Sequence, residues 1–92
     1  MLARKFRRIS LDANILVINN QGKEAMCRCL EFSNDGIDLE PIQLNLTHMN
    51  DLFHAGQIVD LQIQDVTDAP VIKAAIIRAS INFASLRFIP QV

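Results

Sequence analysis

Aromatic residues, cysteines and histidines are all scarce in this sequence. It has no tryptophan or tyrosine and only five phenylalanines, so its core has to come mainly from isoleucine, leucine, valine and alanine. The two cysteines, Cys27 and Cys29, are too few for a disulfide scaffold or, with no further ligands at suitable spacing, for a zinc site. On a strand they would share one face, which predicts two small core residues.

Long apolar runs are also missing, although half of the residues are apolar. No stretch is typical of a signal-peptide core or a membrane span, so we expect a cytoplasmic protein without membrane insertion. Its 92 residues suffice for one small domain. The blocks at 15–18 and 74–77 are apolar on both strand faces, whereas a small barrel fills its interior with one face. We therefore expect a homodimer or a hetero-complex that covers the other face.

The net charge is only −1, but the charges are unevenly distributed, with a basic arm at the start of the sequence and an acidic remainder. Four of the nine basic residues lie in the first eight positions, and the rest of the chain carries five basic and ten acidic residues. We assign residues 1–10 to a basic N-terminal arm and residues 11–92 to one domain. An acidic body counts against a nucleic-acid coat, which is usually basic over a whole face, so the expected partner is a small or local anion rather than nucleic acid.

Closely spaced apolar segments separated by turn signals predict six short strands. We place them at residues 11–19, 24–32, 37–39, 57–64, 71–79 and 83–89. One or two helical turns are predicted within 42–56, with Asn45 or Thr47 as the N-terminal cap and Gly56 as the end. Many short strands with little helix predict an all-β, antiparallel sandwich or small barrel.

The chain is organised around the turn in residues 31–39, EFSNDGIDL. Gly36 is predicted to adopt a positive φ, and Ser33 is predicted to cap the turn. Such a turn would hold a serine and acidic groups on a small rigid surface between two strands.

Patterns that support catalysis are weak. His48 and His54 lie six residues apart with no triad around them, and Ser33 lacks the strand-to-helix context of a nucleophile elbow. The carboxylates do not follow a metal-ligand spacing. We therefore predict a protein that is not an enzyme, with no catalytic residues, no metal and no cofactor.

The arginines of the arm are more informative. Arg4, Arg7 and Arg8 offer planar guanidinium groups that pair with phosphate, grip the O6/N7 edge of guanine or stack on a ring. Judged from the residues alone, the alternative is that the arm is an unstructured tail that its charge keeps soluble.

The basic arm and the turn in residues 31–39 together resemble the PilZ domain, a small β-barrel family that binds the bacterial second messenger cyclic di-GMP. The family has an RxxxR arm before its first strand and a [D/N]xSxxG turn between two later strands. Here RKFRR supplies Arg4 and Arg8, and EFSNDG supplies Ser33 and Gly36. The resemblance implies a six-stranded antiparallel barrel with one short helical turn.

The resemblance also implies a function in bacterial second-messenger signalling. The chain would be a cyclic di-GMP receptor or adaptor that acts through contact with a downstream protein. The alternative is a nucleotide-independent interaction module, as in family members that lack the arm. Two positions depart from the motif, since Ala3 stands where many members have another arginine and Glu31 stands at the Asp or Asn position. The implied ligand-binding residues are Arg4, Arg7, Arg8, Glu31, Ser33 and Gly36.

Overall fold

A computed structural model of the chain describes residues 13–42, 48–64 and 67–90. The strands close into one antiparallel barrel in the order β1-β2-β3-β6-β5-β4, which confirms the all-β, six-stranded fold class. The predicted arm, residues 1–10, lies outside the described residues. The elements in chain order are β1 (Asn14–Ile18), β2 (Glu24–Phe32), β3 (Gly36–Pro41), α1 (Met49–Leu52), β4 (Ile58–Ile63), β5 (Ile72–Ser80) and β6 (Phe83–Phe88).

The barrel interior is filled by alternate residues of each strand, as the period of two requires. In β1, Ile15 and Val17 are buried while Leu16 and Ile18 are only half-buried on the outer side. Cys27 and Cys29 are both buried, which confirms their prediction as core residues. Burial raises the pKa of the Cys27 thiol to about 12, so this group stays protonated and unreactive at neutral pH.

The short helix packs one end of the barrel. Met49 and the following Phe53 are almost fully buried, and the amide of Met49 donates to the carbonyl of Ile81 at 2.9 Å. One helical turn was expected here, but its predicted ends were wrong. His48 is the N-terminal cap and Phe53 the C-terminal cap, while Gly56 lies in the turn before β4. The two predicted caps, Asn45 and Thr47, lie outside the described residues.

Asn19 is the one buried polar residue in the described part of the chain, and it joins three pieces of backbone. Its Nδ2 donates to the carbonyl of Leu52 at 2.9 Å, which ties α1 to the end of β1. Its Oδ1 accepts from the amides of Gln21 and Lys23, which fixes the β1–β2 turn. A buried amide with both ends satisfied stabilises a single arrangement of this end of the barrel.

The outer surface keeps several apolar side chains. Ile77 and Ile81 are the most exposed of them, at 53% and 55%. This agrees with the two-sided apolar pattern in the sequence, although self-association stays a prediction. Within the described residues, no helix combines the length and the apolar character that crossing a membrane requires.

Candidate functional site

An open cavity of about 190 Å³ lies on the outside of the barrel, beside the β2–β3 turn. It extends from the end of β2 across β3 and β6 to β5, which are consecutive neighbours in the barrel. Three of the predicted ligand residues, Glu31, Ser33 and Gly36, line it together. The other three, Arg4, Arg7 and Arg8, lie outside the described residues, so their role stays a prediction.

The turn at the rim of the cavity is held by its own backbone and by β6. The amide of Ser33 donates to the carbonyl of Gly36 at 3.0 Å, and Ser33 Oγ accepts from the amide of Asp35 at 3.3 Å. The second contact confirms Ser33 as the residue that caps the turn. The amide of Phe88 donates to the carbonyl of Asp35 at 2.8 Å, which fastens the turn to the end of β6.

Gly36 was predicted to adopt a positive φ, and this was wrong. Positive φ among the described glycines occurs at Gly22 and Gly56 instead. Gly36 is required for a different reason, since a Cβ at this position would overlap the carbonyl oxygen of Leu86. It would also lie 3.3 Å from the Cα of Arg87, so only glycine allows β3 to approach β6 this closely.

Two irregularities in strand register lie on either side of the cavity. The register of β2 shifts between Cys29 and Glu31, and that of β5 shifts between Ile76 and Arg78. Simple alternation from Cys29 would point Glu31 into the core, but the shift turns its side chain outward, opposite Asp38. In β5, the residue inside the shift is Ile77, which forms part of the cavity wall. Bulges commonly re-aim side chains beside functional sites, and here both of them shape one cavity.

The cavity carries charges of both signs. Asp38 lies opposite Ser85 in the β3–β6 register, and Ser85 Oγ donates to Asp38 Oδ1 at 2.9 Å. The next outward pair along these strands is Gly36 opposite Arg87. Arg87 therefore borders the bare backbone of Gly36 and is the one cationic side chain among the described lining residues.

Negative charge predominates among the described lining residues, which include the carboxylates of Glu31, Asp35 and Asp38 against the single guanidinium of Arg87. Carboxylates accept hydrogen bonds from ligand N–H groups, and a guanidinium donates to phosphate or carbonyl oxygens. An anionic ligand bound here needs further cations, because these carboxylates would otherwise repel it.

Sequence reasoning missed Asp38, Ser85, Arg87 and Ile77 as lining residues. The alternation of β3 and β6 was a usable signal for the first three, since it places them on the polar face of their strands. What the sequence does not show is that β3 pairs with β6, a contact between segments more than forty residues apart. Predicting Ile77 as a lining residue would in addition require knowledge of the register shift in β5.

Comparison with known proteins adds no assignment. The chain matches no model of a known protein family, and no curated protein matches it significantly.

Proposed function

We propose that this chain is a PilZ-type cyclic di-GMP receptor without enzymatic activity. The observation that carries the proposal is the outer cavity, where Glu31, Ser33 and Gly36 lie together with Ser85 and Arg87 of β6, a strand that is distant from the turn in sequence. The chain would bind the nucleotide in bacterial cytoplasm and pass the signal to a downstream protein by contact.

The chemistry of the cavity suits part of this ligand. A guanine offers N1–H and a 2-amino group to carboxylates and O6/N7 to a guanidinium, and both partner types line the cavity. An engineered protein cavity of about 150 Å³ holds benzene, so about 190 Å³ accommodates one base and not the whole dinucleotide. The two phosphates and the second guanine would lie outside the cavity.

The basic arm would supply the cations that the cavity lacks. Residues 4–8 bring four positive charges, and the described lining has an excess of carboxylates. Arg4, Arg7 and Arg8 would close over the ligand and pair with its phosphates. Ordering the arm costs conformational entropy, but the ordered arm presents a new surface to a downstream protein.

The excess of carboxylates also favours a second candidate. An acidic cavity next to the exposed Ile77 could receive a basic, apolar segment of a protein without any nucleotide. This is the nucleotide-independent interaction module, and the response to cyclic di-GMP separates it from the first candidate.

Thermal unfolding with nucleotides tests the proposed function. A ligand at a hundred times its dissociation constant stabilises the folded state by about 2.7 kcal/mol. For a domain of this size, each kcal/mol raises Tm by roughly 4–8 °C, so a rise of about 10 °C or more is expected with cyclic di-GMP. GTP at the same concentration serves as the control for unspecific anion binding. An unchanged Tm with millimolar cyclic di-GMP would favour the interaction module.

Restoring the two departures from the motif should tighten binding. Glu31→Asp removes a methylene and one torsion that has to be ordered, which favours binding by a few tenths to about 1 kcal/mol, or up to about fivefold in Kd. Ala3→Arg adds a charged contact and should tighten binding further. Fluorescence titration of both variants against wild type measures the change. Tighter binding by Glu31→Gln but not Glu31→Asp would instead show that Glu31 holds an arm arginine in the free protein.

A further inference from the structure

Asp38 and Arg87 lie on either side of the cavity floor. Asp38 faces Ser85 and Gly36 faces Arg87 across β3 and β6, so Asp38 and Arg87 are diagonal neighbours. Diagonal neighbours on a sheet are about 7–8 Å apart at Cα. No ion pair joins the two side chains in the described parts of the chain, although their charges are opposite. They therefore flank an open space that a ligand can bridge.

Each charged group has acceptor or donor capacity left for a ligand. Ser85 Oγ donates to Oδ1 of Asp38, which fixes the carboxylate and leaves Oδ2 and the second lone pair of Oδ1 able to accept. Among the described residues, the Arg87 guanidinium has neither a hydrogen-bond partner nor an ion-pair partner. Its planar fork suits two adjacent acceptor atoms.

The floor between these groups consists of the backbone of Gly36 and the small side chain of Ser85. Gly36 lies beside Arg87 and two residues from Asp38, and it presents no side chain there. Ile77 adds an apolar wall from β5. A flat, partly apolar space with a fixed acceptor on one side and a forked donor on the other suits a planar heterocycle.

We propose that the cavity takes one guanine base whose recognition is determined by Asp38 and Arg87. Asp38 accepts from N1–H and the 2-amino group, and Arg87 donates to O6 and N7 on the adjoining edge. Adenine presents an amino donor where guanine has O6 and an acceptor at N1, so Asp38 loses both of its donors and Arg87 keeps only N7. Ser85 is a positioning residue for Asp38. The inference rests on the proposed function and assigns specificity to two residues outside its motifs.

The test compares cyclic di-GMP, cyclic di-IMP and cyclic di-AMP on the full chain by calorimetry. Hypoxanthine lacks the 2-amino group, so wild type should bind cyclic di-IMP more weakly than cyclic di-GMP and cyclic di-AMP most weakly. Asp38→Asn should weaken cyclic di-GMP binding by about ten- to a hundredfold and reduce its advantage over cyclic di-IMP. Arg87→Ala should weaken both by a similar factor, because both bases keep O6 and N7. Ser85→Ala should shift the preference in the direction of Asp38→Asn, but less.

Asp60→Asn and Arg78→Ala are the matched controls. Asp60 pairs with Lys73 at 2.7 Å on the outside of β4, and the guanidinium carbon of Arg78 lies 5.4 Å from the centre of the Phe83 ring. Neither Asp60 nor Arg78 lines the cavity. Both controls should bind like wild type. A melting curve verifies the fold of each variant, and Asp38→Ser serves as a second carboxylate-free variant.

The outcomes separate the two proposals. If Asp38→Asn and Arg87→Ala bind with wild-type affinity and unchanged base preference, this assignment is wrong while the receptor function stands. If wild type binds none of the three dinucleotides, the receptor function fails and the assignment fails with it.

Discussion

Gly36→Ala is expected to lower the free energy of unfolding by about 1–3 kcal/mol, and by more if the barrel cannot adjust. The new Cβ would overlap the Leu86 carbonyl oxygen, which is fixed backbone and cannot rotate away. Strands β3 and β6 would have to separate at the cavity floor. For a domain of this size the loss corresponds to a fall in Tm of roughly 4–8 °C per kcal/mol. Urea unfolding gives the free energy directly.

Gly22→Ala is the matched control for this substitution. Gly22 has φ of 82° and open space around its Cβ position, so alanine there meets backbone strain of about 1–2 kcal/mol but no steric overlap. Gly36→Ala should in addition weaken cyclic di-GMP binding, whereas Gly22→Ala should not. Wild-type stability of the Gly36→Ala variant would show that β3 and β6 are not this close.

The largest effect on binding is expected from the arm. Arg4→Ala combined with Arg8→Ala should weaken cyclic di-GMP binding by at least about a hundredfold, since each charge-assisted contact contributes about 1.5–3 kcal/mol. Added salt should weaken the wild-type complex for the same reason, wherever these contacts are exposed. Calorimetric titration at two salt concentrations measures both effects.

The control for this double variant is Arg28→Ala combined with Lys73→Ala, which removes the same amount of positive charge from the barrel instead of from the arm. Arg28 pairs with Glu40 at 3.0 Å and Lys73 pairs with Asp60 at 2.7 Å, both exposed and outside the cavity lining. Such surface pairs contribute about 0–1 kcal/mol to stability, so this variant should fold and bind normally. Equal loss of affinity in both double variants would mean that total charge, and not the arm, governs binding.

Much of the fold was predictable because its signals are local. Short apolar segments bounded by turn residues identified the strands, and the shared face of Cys27 and Cys29 placed both in the core. Turn residues located the loop at Ser33. The helix limits were less accurate, because tertiary packing of Met49 and Phe53, rather than capping side chains, decides where this single turn lies.

The candidate site was only partly predictable, because much of it depends on long-range pairing. Proximity of Asp38 to Ser85 and of Gly36 to Arg87 follows from the β3–β6 register, which no local pattern encodes. The role of Gly36 was misassigned for the same reason. A glycine in a turn suggests a positive φ, whereas here it is the neighbouring strand that excludes a side chain.

Isothermal titration of the purified wild-type chain with cyclic di-GMP measures directly whether this barrel is a receptor for the nucleotide. We expect saturable binding that cyclic di-AMP does not reproduce and that weakens in the Arg4→Ala, Arg8→Ala double variant. If a chain whose melting curve shows it to be folded gives no measurable binding at millimolar cyclic di-GMP, it is not a receptor for this nucleotide.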